Sequence, residues 1–251
     1  PLPWLKAASS VKAFGVVFTP THKGTAAASW DRVISGVERV LGMWQARCLP
    51  TLRQRAQALE VFALSKAWYL AQILPLPAKL VARLQAAAGA FLWRGRLERL
   101  AYGELHQPVS AGGLRLTSIV DRAQSLLVKQ ACHRLAAEGR PAQHLAYWLG
   151  LRLRHYLPVL AAGPHAEVVP PYLSDLGSLL LEAFQLSCVS LNSLGEARAA
   201  AIYAEFTSTP PPPKIEYRLP ELRWPLVWSR LSLSTLPASA ADVLFSLLHN
   251  I

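Results

Sequence analysis

Arginine is the residue best placed to do chemistry in this chain, and the chemistry it suits is the holding of phosphate. Arg32 and Arg39 lie seven residues apart, Arg53 and Arg55 two apart, Lys66 follows, and Arg94 and Arg96 again sit two apart. A guanidinium can fork two N–H donors onto the oxygens of one phosphate, where an ammonium acts only as a point charge. Seven residues of helix make two turns, or ~10 Å, so Arg32 and Arg39 share a face. Asp31 and Glu38 repeat beside them at the same spacing. The pattern therefore has two readings: a face that tracks phosphates, or an ordinary solvated face of mixed charge. The Arg-rich ends of the next two segments favour the first.

The groups that make and break bonds are not assembled in the same way. Phosphoryl transfer by two metals needs carboxylates that hold the ions ~4 Å apart. The four aspartates, Asp31, Asp121, Asp175 and Asp242, are isolated, and no two carboxylates are adjacent. The seven histidines show neither HExxH nor finger spacing. Cys132 and His133 are neighbours, so on a helix they diverge by about 100° and cannot serve as nucleophile and base. Cys48, Cys132 and Cys188 form no CxxC pair and read as free buried thiols in a reducing compartment. There is no glycine-rich phosphate loop. The sequence holds no complete active site and calls for no cofactor of its own.

The basic residues must be positioned by helices. Trp30, Val33, Ile34, Val37, Val40, Leu41 and Trp44 recur at three- and four-residue spacing, which predicts a helix opening at Ser29 as N-cap. Pro50-Thr51 breaks the pattern. The next helix, 52–73, is apolar nearly all round, with Leu59, Phe62 and Leu70 on one side and Val61, Leu64 and Trp68 on the other, as a sandwiched helix would be. Pro75 ends it, and Pro77 starts a third, where a missing N–H is harmless. There Leu80, Val81, Leu84, Ala88, Phe91 and Leu92 face inward. Of Trp30, Trp44, Trp68 and Trp93, at least three are expected in the core, and Trp93, beside Arg94, is the best exposed candidate for stacking on a base. Ahead of the bundle, Val11 to Phe18 reads as a strand, with Gly15 marking a bulge, and residues 19–28 as a link.

Length and charge bound the partners. The 251 residues, 52% hydrophobic and 16% charged, suffice for one large or two ordinary domains with a real core. No uninterrupted apolar run is long enough to span a membrane. With neither an initiator Met nor a leader, the chain reads as an intracellular fragment, nuclear or cytoplasmic. Residues 1–100 hold 14 Lys/Arg against 4 Asp/Glu, a net +10 of the whole chain's +11. Such asymmetry points to a polyanion met by one half, and Arg-rich basicity suits nucleic acid better than membrane. A solubilising surface on a Leu/Ala-rich bundle is the plainer alternative.

The stretches LPTLRQRAQALEVFALSKAWYLAQILPLP, FLWRG and ELHQPVSAGGLRLTSIVDRAQSLL, in that order after VKAFGVVF, resemble the region downstream of the polymerase core in reverse transcriptases of non-LTR (LINE-type) retrotransposons. The resemblance covers about the first half of the chain and is faint after Leu135. It implies a mainly α fold: a short β-strand or hairpin at the end of the palm (1–22), a thumb-like helical bundle (23–99), and a helical, Pro-interrupted connector (100–251). The strand then corresponds to the primer grip, with Phe14, Gly15 and Val16 at its centre. Arg32, Arg39, Arg53, Arg55, Lys66, Arg94 and Arg96 would grip an RNA/DNA duplex. The parent enzyme, an RNA-directed DNA polymerase, would need Mg²⁺, and the rest of that polymerase would be the other partner. The family's Tyr/Phe-x-Asp-Asp signature is missing, so this piece is expected to be inactive alone. The alternative is a non-catalytic helical module that docks a protein, from a decayed or co-opted element.

Beyond Leu100 the periodicity fails and Gly112-Gly113 marks a tight turn. Helices are predicted from Ser118 to Ala137, over 142–151 and over 172–186. A fourth runs from a capping box at Ser193 and Glu196 to about Phe206. Pro210 to Pro213 reads as a polyproline spacer, and a last helix is capped by Ser239 and Asp242.

Overall fold

The run from Val11 to Phe18 folds back on itself. In the computed structural model, which describes residues 10–47, 49, 51–95, 102–137, 139–158, 163–186, 189–207, 216, 221–232 and 237–249, β1 (Val11–Ala13) pairs antiparallel with β2 (Val16–Phe18), Ala13 opposite Val16. Phe14 (φ 50°) and Gly15 (φ 81°) form the connection. Both angles are positive, as a two-residue hairpin turn of the type that matches strand twist requires. The expectation of one strand bulged at Gly15 is corrected: Gly15 is the turn.

Helix α1 (His22–Ala46) begins seven residues before Ser29. Thr21 is its N-cap, its hydroxyl accepting from the Gly24 N–H at 3.1 Å, so much of the expected link is helix. Ser29 is fully buried inside the helix. Its Oγ accepts from the Val17 N–H at 2.9 Å and donates to the Val17 carbonyl at 3.3 Å. Ser29 therefore clamps β2 instead of capping α1, since a buried backbone pair needs partners as much as a helix start does.

Thr51 and Gln54 form a reciprocal capping box for α2 (Leu52–Ala58), which runs into a π-helical segment, Leu59–Leu64, and α3 (Ser65–Ala71). The π segment carries an extra residue per turn, which shifts the apolar side chains round the axis. Leu59, Ala63 and Leu64 are buried, but Val61 is 60% exposed and Phe62 46%. The helix is thus not sandwiched on all sides. Pro77 is the N-cap of α4 (Ala78–Trp93), which ends on Arg94 and Gly95 at positive φ, with the Gly95 N–H returning to the Ala90 carbonyl at 2.9 Å.

By its internal contacts the chain divides into two compact units. The first comprises the described residues of Pro1–Ala67, Pro77–Ile119 and Ser208–Ile251. In it α1 packs on β2, on the π segment and on α4. Trp30, Ile34, Leu59, Leu64, Leu84 and Leu92 are fully buried. The Gly-Gly turn follows a short 3-10 helix, Val109–Ala111, against which the helix Trp224–Ser232 packs. A Cβ on Gly113 would lie 2.1 Å from the Gln107 carbonyl oxygen, so only glycine lets the backbone pass. Pro237, not Ser239, stands at the N-cap of the final helix, Ala238–Leu248. The Asp242 carboxylate instead accepts from the Leu52 N–H at 2.9 Å, serving the start of α2 from 190 residues away. His249 closes the same unit by donating from Nε2 to the Gly112 carbonyl at 2.8 Å.

The second unit holds the described residues of Trp68–Leu76 and Val120–Thr207. Helices Ile119–Ala136, Arg140–Leu153, Pro171–Gln185 and Ala199–Phe206 supply it. Val128, Cys132, Leu149, Leu153, Leu180 and Ile202 form the centre of its core. The Cys132 thiol is free and buried. The expected capping box at Ser193 and Glu196 is corrected. Leu191–Glu196 is a separate 3-10 helix, and Ala199–Phe206 starts after Arg198 without a side-chain cap. Cys48, Cys188, Arg96 and the segment 210–213 lie outside the described residues. The molecule is mainly helical with a short antiparallel hairpin at its N-terminal end. Among the described residues no helix is long and apolar enough to cross a membrane.

Candidate nucleic-acid interface

Arg83, which the sequence reading passed over, organises the charge of the first unit. It lies on α4, and its Nε and Nη2 fork onto the Glu38 carboxylate at 2.8 and 2.7 Å. Nη1 donates to Asp31 at 2.5 Å and Nη2 also to the Ser35 hydroxyl at 3.3 Å. Asp31, Ser35 and Glu38 follow each other at helical spacing on α1, so one guanidinium closes the whole stripe. Hydrogen bonds from Glu38, then from Asp31, push the Arg83 pKa above its ordinary value. The signal in the sequence was the seven-residue repeat of acids on α1. Its partner was an arginine on the inward-facing helix α4, where basic residues were not sought.

Arg32 and Arg39 stand on the neighbouring line of α1 and are exposed. Among the described residues, no ion pair reaches either of them. Arg53 on α2 and Lys66 on α3 are exposed as well. The other expected phosphate ligands divide. Arg55 is half-buried, donating from Nε to the Leu92 carbonyl at 2.6 Å and from Nη1 to the Leu49 carbonyl at 3.1 Å. Arg94 is exposed and donates to the same Leu49 oxygen. These two arginines hold the turn between α1 and α2 against the C-terminal end of α4. Of the three primer-grip residues, Phe14 is 88% exposed at the hairpin tip beside Gly15, while Val16 is buried.

Trp44 is half-buried and is not a core residue. Its ring stacks on Phe62 with centroids 4.5 Å apart, and the Arg47 guanidinium sits 4.7 Å from the ring centre. An exposed cation–π contact of this kind contributes ~0.5–1 kcal/mol. Trp68 and Trp93 are half-buried too, leaving Trp30 as the one fully buried member of the four. Periodicity placed Trp44 on the stripe correctly, but α1 outruns the elements that cover its middle.

Asp242 faces this region from the final helix. Burial pushes its carboxyl pKa up, while the Leu52 N–H and the charges of Arg55 and Arg94 hold it down in part. Among the described residues, no three His, Cys, Asp or Glu side chains gather in a group that could hold a metal ion. The arrangement can therefore present exposed guanidinium and ammonium groups to phosphate, with no carboxylate turned toward Arg32 and Arg39.

Compared with models of protein families and with curated proteins, the chain matches none.

Proposed function

We propose that this chain is a nucleic-acid-binding element, the thumb and connector of an RNA-directed DNA polymerase resembling those of non-LTR retrotransposons. Its helical bundle would lie along the template–primer duplex. Arg32 and Arg39, two turns apart on α1, would contact successive phosphates, with Arg53 and Lys66 extending the contact. Such contacts set position on a duplex without reading its sequence. The hairpin tip carrying Phe14 and Gly15 would meet the primer strand. The parent enzyme would supply the paired carboxylates and Mg²⁺.

One observation carries this reading. Arg83 draws both acids of α1 onto α4, so Arg32 and Arg39 are left without a counter-charge. A solvated mixed-charge face would pair those acids with their neighbours instead.

A second reading, a module that docks a protein, is favoured by the exposed apolar side chains Met43, Val61 and Phe62. The test that separates them is binding of an RNA/DNA hybrid by the protein and by its Arg32→Gln/Arg39→Gln variant, followed by fluorescence anisotropy. The variant should keep its helix content and lose affinity about equally for all hybrid sequences. Unchanged affinity would sink the phosphate-tracking role.

A further inference from the structure

Two guanidiniums, from Arg55 and Arg94, converge on the Leu49 carbonyl oxygen. They form one wall of a cavity of about 150 Å³ whose other walls are Trp44, Gln45, Leu49 and Phe91. No carboxylate lines it. The lining thus combines two fixed cations, two aromatic rings and one amide. Two like charges held side by side repel, and an anion placed between them relieves that repulsion.

The aromatic wall is held in place. Phe62 stacks on one face of the Trp44 indole and Arg47 lies over the ring. The stacked phenyl leaves no room for Arg47 on its own side, so both faces are occupied and the indole offers its edge. An aromatic edge is electropositive and suits another ring in edge-to-face contact, or a carbonyl oxygen. Gln45 adds a donor and an acceptor. Size narrows the ligand further, because a cavity of ~150 Å³ accepts a single six-membered ring such as benzene. A fused purine is too large.

We infer that this cavity takes one unpaired pyrimidine nucleotide of a nucleic-acid strand, its ring against Trp44 and Phe91 and its phosphate on Arg94 and Arg55. The inference rests on the nucleic-acid reading and deepens it, since it concerns an unpaired nucleotide where Arg32 and Arg39 concern a duplex. A size-limited cavity also differs from an open stacking platform, which accepts any base.

The test is the affinity of the whole chain for fluorescein-labelled oligo(dT) and oligo(dA) of eight nucleotides, measured by anisotropy beside a blunt RNA/DNA hybrid. Oligo(dT) should bind at least about fivefold more tightly than oligo(dA), within the range that one well-placed base contact supplies. Trp44→Leu should abolish the difference and leave hybrid binding unchanged. If Trp44→Leu lowers helix content, Arg94→Gln gives the same reading: oligo(dT) weakens several-fold and the hybrid much less. Equal affinity for the two oligonucleotides, tighter binding of oligo(dA), or a preference that survives both substitutions overturns the inference. Absent hybrid binding with the oligo(dT) preference intact would overturn the duplex reading alone. Hybrid binding without the preference would overturn this inference alone.

Discussion

Arg83 grips Glu38 from the opposite helix with two parallel hydrogen bonds, at 2.8 and 2.7 Å. The same guanidinium reaches Asp31 one step along α1. The contact joins two helices, and it also decides what the solvent side of α1 looks like to a polyanion. Two carboxylates that could have neutralised Arg32 and Arg39 are engaged elsewhere.

Replacing Arg83 by glutamine should therefore weaken hybrid binding without Arg83 touching nucleic acid. Lys79→Gln, one turn away on α4 and exposed, removes the same charge and frees no acid. Measured by anisotropy at low salt, Arg83→Gln should lose several-fold more affinity than Lys79→Gln, because released Asp31 and Glu38 can pair with their neighbours. Equal losses would mean that only net charge matters.

Ser29 offers a test of how the hairpin is held. Its hydroxyl satisfies both backbone groups of Val17. Ser29→Ala leaves them unpaired next to a fully buried position, which should cost ~1–3 kcal/mol in denaturant unfolding. Exchange of the Val17 amide should accelerate markedly in the variant. A protected Val17 amide in Ser29→Ala would show that the clamp is not what orders β2.

The glycines should respond in opposite directions. Gly113→Ala places a methyl group against the Gln107 carbonyl, a backbone atom that cannot step aside, and should destabilise by ~1–3 kcal/mol or more. Gly42, in the regular part of α1, faces open space, and Gly42→Ala should stabilise by ~0.5–1 kcal/mol. Thermal unfolding of the two variants reads both signs.

The helices themselves were legible in the sequence, because three- and four-residue recurrence of Trp30, Ile34, Val37 and Leu41 is a local property. So was the break at Pro50-Thr51, and so were the need for glycine after Val109 and the burial of Cys132. Ser29 was misread because Ser serves equally well as an N-cap and as a buried hydroxyl, and only the folded hairpin decides between them. Asp242 was misread for a related reason: its nearest helix start is its own, while its partner Leu52 lies 190 residues away. Arg83 was missed since a lone arginine on an inward-facing helix carries no local pattern, and its partners are on a different element. The exposure of Phe62 and Trp44 follows from a π segment, which no hydrophobic period announces.

Asp242 gives a pH test with a definite sign. Burial raises its folded-state pKa above the unfolded value, so the folded chain holds this proton to higher pH than the unfolded chain does. Stability from this group is therefore greatest below the unfolded value, about 3.9, and declines as pH rises through the folded value. Asp242→Asn keeps an oxygen to accept from Leu52 and removes the titration. The unfolding free energy of the native chain relative to Asp242→Asn should fall between pH 3.5 and 7. A rise over that range would mean that Leu52, Arg55 and Arg94 outweigh burial.

The exposed basic face is tested most directly by salt. Each phosphate neutralised by Arg32, Arg39, Arg53 or Lys66 releases condensed counterion, so log affinity for an RNA/DNA hybrid should fall linearly with log salt concentration. The whole chain should give a slope of several units, and Arg32→Gln/Arg39→Gln should reduce it by roughly two, about one per lost contact. A slope near zero for the unaltered chain, or an unchanged slope in the folded double variant, would contradict the claim that these arginines hold a nucleic-acid backbone.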